Sequence, residues 1–305
     1  MIHHDRWTHD GPAGIRLDRA IAARYPWLSR AQVAALLDSR SVQLGGRPAP
    51  KGAKLPAGAV LEAVGIPEPS DLRLQANPSL LLRVVWEDDW LLALDKPAGM
   101  PTHPLRADET DTLANALVAR YPNLAEIGNP PLFPAMLHRL DTGTSGLVLA
   151  AKTQAVFLAL REAFRRREIE KHYLAWVYGD VAAPGRCDSP LTHRTRSPCR
   201  MRILAPGETA SGRETFPAAT EWVPIRREEG RTLLDVTIRT GVTHQIRCHL
   251  AAAGHPVVGD RIYGPPTGLP RHLLHAHTLR LVHPATSSPL LLAAPPPADA
   301  AWGNG

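Results

Sequence analysis

The segment from Gly146 to Thr153, GLVLAAKT, constrains the fold of this chain more than any other. It is an unbroken apolar run of strand length, with the small residues Thr142, Gly143, Thr144 and Ser145 in front of it and Thr153, a good helix cap, behind it. Such a run reads as a buried strand, entered through a tight turn and left through a helix. The turn carries charge: in PAMLHRLDTGTS, Asp141 follows Arg139 by two places. Alone, an Arg-Leu-Asp turn is an ordinary structural ion pair. The carboxylate gains meaning only from what the rest of the chain sets around it.

Other segments share the strand pattern. LLRVVWEDDWLLALDKPAGM reads as two strands joined at Glu87–Asp89 and followed by a KPAG turn, and KHYLAWVYGD, FPAATEWVPIRR and TLLDVTIRT read as further strands. Helices are predicted from Thr112 to Tyr121, from the cap Thr153 to about Arg167, and through HQIRCHLAAA with Thr243 as cap and Gly254 as the left-handed closing residue. Strands punctuated by a few helices predict an α+β domain over residues 80–295, built on a mostly antiparallel mixed sheet. In front of it, residues 14–66 predict a small α+β domain. Leu17, Ile21 and Ala22 recur at helical spacing, Ser29 caps a second helix with Val33, Leu36 and Leu37 inside, and SVQLGG and AVLEAV supply short strands. Residues 1–13 read as a disordered leader, 67–79 as a Pro-rich polar linker and 296–305 as a frayed tail.

The net charge of +6 and pI near 9.5 favour a polyanionic partner. Residues 1–66 hold nine Lys/Arg against five Asp/Glu, so most of that excess lies in the front domain. A second basic run, Arg194, Arg196, Arg200 and Arg202, falls in an expected loop. Three cysteines without tight spacing point to reduced thiols. The polar N-terminus has no signal-peptide core, and no apolar run approaches the roughly 20 residues that cross a bilayer. A soluble, cytoplasmic monomer without membrane contact is expected.

Four ordered stretches then resemble one family. HRLDTGTSGLVLAAKT looks like the signature of the RluA-type pseudouridine synthases, EKHYLAWVYG (170–179) like their second motif, TGVTHQIRCHLAAAGHPVVGDRIYG (240–264) like their third, and LLHAHTLRLVHP (273–284) like their usual ending. Residues 14–64 are similar to the S-four-type RNA-binding domain. The resemblance implies an enzyme that isomerises uridine to pseudouridine in structured RNA, large-subunit ribosomal RNA foremost and transfer RNA as the alternative. It names Asp141 as the carboxylate that attacks C1′ or stabilises a cationic sugar, Arg247 as the cation that keeps it ionised, and Tyr173 as the ring against the uracil. Arg139 would replace the flipped base in the stack, and His138 would hold a phosphate or orient the loop. Arg30, Lys51 and Lys54 of the front domain, with Arg194 and Arg196, would contact phosphates. Nothing is oxidised or consumed, so no cofactor and no metal is implied. Val242 stands where the family has Arg, and Thr142 where it often has Lys or Arg. Each removes a positive charge, which bears on RNA contacts more than on chemistry.

Plainer readings compete. Tyr173 alternates with Ala175 and Val177 as a core tyrosine would, and Arg247 alone would be a surface helix arginine. REAFRRRE (161–168) reads as a solvated helix face, with an RNA contact as the alternative, and Lys96 of DKPAGM lies in a structural turn or touches phosphate. The spacing of Cys187, His193 and Cys199 is wrong for a zinc knuckle. His272, His275, His277 and His283 read as hydrogen-bonding residues of a strand-rich segment. At the level of function, a non-catalytic RNA-binding or ribosome-assembly protein could keep the same fold. A nucleoside hydrolase would need a carboxylate cluster that the sequence lacks.

Overall fold

A computed structural model describes residues 4–28, 30–50, 52–129, 131–196, 199–205, 207–210, 212–298 and 302, the side chains at 69, 70 and 196 apart. Ser29, the expected helix cap, and Lys51 lie outside the described residues. The chain divides into two compact units, Met1–Arg73 and Leu74–Gly305, a division that falls inside the stretch expected as a linker.

The front unit runs β1 (His4–Thr8), α1 (Leu17–Arg24), α2 (Arg30–Asp38), β2 (Val42–Leu44), β3 (Arg47–Pro48) and β4 (Val60–Val64). Its antiparallel sheet has the order β1-β4-β2-β3. Leu17, Ile21, Val33, Leu36 and Leu37 close a core with Val42, Leu61 and Ala63. Ala22, expected to face inward, is exposed, and Ala20 takes that place. The reason is angular: Leu17, Ala20 and Ile21 share one stripe of a 3.6-residue helix, and the next position turns away. The leader is a second correction, because residues 4–8 form β1 along β4. Trp7 stands edge-on to Tyr25 at 5.7 Å, and Asp5 accepts hydrogen bonds from the Tyr25 hydroxyl (2.8 Å) and from Arg24 (3.1 Å). An edge strand can be this polar because one side needs no sheet partner. Leu72, from the expected linker, also packs into this core.

The second unit begins with β5 (Val84–Glu87), β6 (Leu91–Lys96), α3 (Leu113–Arg120), β7 (Gly128–Asn129), β8 (Phe133–Pro134), β9 (Ser145–Ala151) and α4 (Gln154–Arg165). It continues through β10 (Glu170–Tyr178), β11 (Gly185–Cys187), β12 (Leu191–Arg196), β13 (Cys199–Ile203), β14 (Thr215–Phe216), β15 (Thr220–Glu228) and β16 (Arg231–Ile238). It ends with α5 (Gln245–Ala252), β17 (Leu274–Val282) and β18 (Pro289–Ala293). The main sheet has the order β11-β15-β16-β10-β17-β9-β6-β5, with β18 also pairing β17. Its pairings are antiparallel except β17 with β9, so the sheet is mixed and mostly antiparallel, within an α+β domain.

All seven residues of β9 are buried because the strand feeds two cores. Val148 and Ala150 point to the face covered by α3 and α5, among Leu113, Leu117, Ile246 and Leu250. Leu147, Leu149 and Ala151 point to the face covered by α4, among Val156, Phe157 and Leu160. Strand alternation with a helix on each face makes the run continuously apolar. Each buried Leu or Val adds roughly 1.5–3 kcal/mol, which fixes the register of the strand and of the turn that leads into it.

Three local expectations change here. The basic run 194–202 forms the β12–β13 hairpin of a separate three-stranded sheet, not a loop. Thr243 does not cap α5; His244 does, in the left-handed conformation at φ 55°, while the Gln245 side chain accepts from the Val242 amide at 3.2 Å. The tail is pinned at Trp302, which packs beside Trp176, Val258 and Leu273 while its carbonyl accepts from Arg226.

Candidate active site

The turn before β9 is held from every side. The Asp141 carbonyl accepts from the Thr144 amide at 3.0 Å, and the Leu140 carbonyl accepts from the Thr102 hydroxyl at 2.8 Å. Thr144 and Ser145 meet the buried imidazoles of His272 (2.8 Å) and His275 (3.0 Å). Lys96 is fully buried beneath the turn, and its ammonium donates to the carbonyls of Pro97, Met100 and Thr142. Burial brings its pKa down to about 7. A lysine spent on three backbone carbonyls does not reach a phosphate, which corrects that reading of DKPAGM.

Asp141 and Arg247, 106 positions apart, meet at this turn: Arg247 Nη1 donates to Asp141 Oδ2 at 2.7 Å. The remaining edge of the same guanidinium is taken by Asp260, which accepts from Nε at 2.6 Å and from Nη2 at 2.8 Å. Asp260 is wholly buried and also accepts from the amides of Ile262 and Tyr263. Burial pushes the Asp141 carboxyl up, but Arg247, and after it the neighbouring His244, outweigh burial and hold it below the usual carboxylate range. Burial works the same way on Asp260, and its hydrogen bond to Arg247 again wins. The result is an ionised carboxylate with one oxygen engaged and Oδ1 without a protein donor among the described residues.

Tyr173, on β10, is 7% exposed and belongs to the main core. The core reading holds, and the same residue also lines the recess that ends at Asp141. An open cleft of about 590 Å³ is walled by Arg139, Arg161, Arg165, Lys171, Tyr173 and Arg239, among others. A recess of about 70 Å³ shares Arg139, Tyr173, Gly241 and Val242 with that cleft and ends at Asp141, His244 and Arg247. A third cavity, of about 650 Å³, borders Asp141 too, with Gly143, Arg261 and Arg271 in its wall. Burial, then the Asp141 charge, raises the Tyr173 phenol, so the ring stays neutral.

Arg139 is exposed, lines both cleft and recess, and has no carboxylate partner among the described residues. His138 has a different setting. Its Nε2 accepts from the Leu149 amide at 3.2 Å and its ring rests on Phe164, while burial and then Lys171 lower its pKa to about 3. That is the loop-orienting arrangement, with no charge to offer a phosphate. Arg30 and Lys54 belong to the front unit, each beside Arg16 and Arg19 at a surface hollow. Arg194 is exposed on β12 and does not line the cleft, although His193 and Met201 of the same hairpin do. The side chain of Arg196 lies outside the described residues. Val242, the residue in place of the family arginine, presents an apolar wall to both cleft and recess.

Sequence reasoning missed Asp260, His244, Tyr263 and Lys171. Lys171 is 4% exposed, donates to the Thr240 carbonyl at 2.6 Å, and is brought to a pKa of about 8 by burial. The one signal for Asp260 was a lone carboxylate amid the apolar HPVVGDRIYG, since a buried charge needs a partner.

Comparison with known proteins gives the following. The family model described as RNA pseudouridylate synthase matches residues 90–252. The chain is 33% identical over 302 residues to the ribosomal large subunit pseudouridine synthase D of Nitrosomonas europaea, covering 96% of this chain and 84% of that one. It is 39% identical over 287 residues to an uncharacterized RNA pseudouridine synthase of Chloroflexus aurantiacus, covering 93% and 87%. Among solved structures, human RNA pseudouridylate synthase domain containing 1 superposes with a TM-score of 0.55 at 26% identity, over 71% of this chain and 84% of that chain.

Proposed function

The chain belongs to the RNA pseudouridylate synthase family, and from that footing we propose that it isomerises uridines of large-subunit ribosomal RNA with Asp141 as the carboxylate acting at C1′. The reaction breaks the N1–C1′ bond, turns the uracil within the site and joins C5 to C1′. The observation that carries the assignment is the 2.7 Å contact of Arg247 with Asp141 Oδ2 at the end of a recess walled by Tyr173 and Arg139. One oxygen held by a guanidinium keeps the group ionised and fixes its direction, and Oδ1 remains for the sugar. A carboxylate on so well-tied a turn loses little freedom on reaching the transition state. The same geometry serves direct attack or stabilisation of a cationic sugar.

Extruding the uridine from its stack costs a few kcal/mol. The exposed Arg139 guanidinium fills the space the base leaves, and the neutral Tyr173 ring receives the uracil. Arg161, Arg165 and Arg239 of the cleft wall give the RNA backbone a positive path toward the recess. This makes the helix face REAFRRRE part of the RNA surface. The front unit, similar to the S-four-type domain, supplies further phosphate contacts through Arg30 and Lys54.

The test is Asp141→Asn, which keeps the shape and one hydrogen bond. Pseudouridine formation on ribosomal RNA should fall by on the order of 10⁴-fold or more, with RNA affinity within a few-fold of the parent. Pseudouridine mapping of cellular RNA with and without the gene reads the target. Loss of transfer RNA sites alone would move the substrate, and residual activity of the variant would remove Asp141 from the chemistry.

A further inference from the structure

His244 lies beside the same carboxylate oxygen that Arg247 holds. Its Nε2 is 3.8 Å from Asp141 Oδ2, and the side chain is 12% exposed. Its other ring nitrogen, Nδ1, is 3.0 Å from the Tyr263 hydroxyl, and that hydroxyl accepts from the Met201 amide at 2.8 Å. Hydrogen-bond directions along this row follow from counting donors. The Met201 amide can only donate, so it takes one lone pair of the phenol oxygen. If His244 Nδ1 carried the proton, the phenol hydrogen would have no acceptor among the described residues, and the lone pair of Nε2 would face a carboxylate. With the phenol donating to Nδ1, both faults vanish: the phenol hydrogen has an acceptor, and the proton sits on Nε2, facing Asp141.

We propose that Tyr263 and His244 are positioning residues that form a directed relay, Met201 amide to phenol to imidazole to Asp141, and so hand the carboxylate a second N–H beside that of Arg247. The inference rests on the assignment of Asp141 to the chemistry. The 3.8 Å gap is one small closure short of a hydrogen bond, and such contacts commonly tighten when substrate fills a site. The backbone supports this placement. His244 sits at φ 55°, a conformation that only a few non-glycine residues adopt, and one whose strain persists where the surroundings enforce it. The far end of the relay is also informative. Met201 lies on β13, in the hairpin that carries Arg194, Arg200 and Arg202 and contributes to the cleft wall. An RNA backbone docked on that hairpin would thereby be mechanically connected to the orientation of the carboxylate.

The charged and titratable groups facing His244 are Asp141, Arg247, Asp260, Arg139 and His272, with Tyr263 at Nδ1. Burial, the largest influence, lowers the His244 pKa, so the ring works as a neutral donor and does not change charge near pH 7. A donor to the ionised carboxylate lowers that group's pKa. Its removal therefore raises the Asp141 pKa, and the acid limb of the rate profile moves to higher pH.

The experiment is single-turnover pseudouridine formation by the full chain on a ribosomal RNA fragment, with RNA affinity and thermal midpoint measured alongside. Tyr263→Phe should slow the chemical step about tenfold, displace its acid limb upward, and leave affinity within twofold. His244→Gln, whose amide restores an N–H near the Nε2 position, should retain most of the rate; His244→Leu should not. Adding Tyr263→Phe to His244→Gln should change little, because the relay no longer runs through the phenol. The relay is overturned by a Tyr263→Phe enzyme with parental rate and profile, by a slowed enzyme whose acid limb does not move, or by His244→Gln and His244→Leu being equally impaired. Asp141→Asn run in parallel separates the two proposals: if it remains active, the assignment of Asp141 fails, whatever Tyr263 does.

Discussion

Three histidines, His272 and His275 buried and His138 half-buried, set how individual residues of this fold respond to acid. Burial is the largest influence on all three, and it lowers His138 to about 3 and His272 and His275 to about 4. An unfolded histidine titrates near 6.5, so between that pH and about 4 the unfolded chain binds more protons than the folded one. Their contribution to stability is complete above pH 6.5 and is lost as pH falls toward 4. Urea unfolding should therefore show stability declining below pH 6 by on the order of 1 kcal/mol per histidine per unit. His138→Gln, whose carbonyl can still accept from the Leu149 amide, should flatten that decline; an unchanged slope would show that His138 is protonated in the folded state. The sequence made His138 legible only as a loop residue next to Arg139. Its partner is the amide of Leu149, on a strand whose position relative to the loop depends on packing. Asp141 and Arg247 were found through motifs, while Asp260 was passed over because one acid between Gly259 and Arg261 has no periodicity to announce a partner 13 positions away.

At the scale of elements, the junction of turn and β9 is the least forgiving place in the fold. Gly146 has φ +109°, and a Cβ there would lie 2.2 Å from the Ala276 carbonyl oxygen and 2.7 Å from the Ala276 nitrogen. Those atoms belong to β17 at its parallel contact with β9, where Ala276 pairs with Gly146. Backbone cannot give way as a side-chain tip can, so Gly146→Ala should destabilise the protein by at least about 2 kcal/mol, from positive φ and the clash together. Denaturant unfolding measures the loss, and a variant within about 0.5 kcal/mol of the parent would mean that the two strands can separate freely. Element types in this region were readable: the all-apolar run, the Thr153 cap and the Gly254 closure each carry a local signal, and each occurs where expected. The β1 strand and the His244 cap were not readable. β1 is stabilised by Tyr25 and Arg24 some twenty residues later, and the cap by Gln245 and a backbone conformation that the letter His does not advertise.

At the scale of the whole molecule, each unit has its own core, and the front one, with less than a quarter of the residues, carries half of the net positive charge, +3 of +6. Removing residues 1–73 should leave a folded second unit whose RNA affinity is weaker and whose dependence on salt is shallower, by roughly 0.7–0.9 in the log–log slope for each phosphate left without its cation. Some turnover on a minimal stem-loop should survive, because Asp141, Arg247 and Tyr173 all belong to the second unit. Affinity titrations across a range of salt concentrations decide the matter, and an unaltered slope would take the front unit out of the RNA interface.

The grip of Asp260 on two nitrogens of Arg247 has a consequence for the middle of the catalytic cycle. Under the proposed assignment, Asp141 would give up its negative charge there by either route, to a bond with the sugar or to a proton. With no other counter-ion, the guanidinium would then be stranded in the interior and would pull the carboxylate back. Asp260 stays ionised throughout, so the cation keeps a partner at both ends of the reaction, and the intermediate stands in nearly the same field as the species on either side of it.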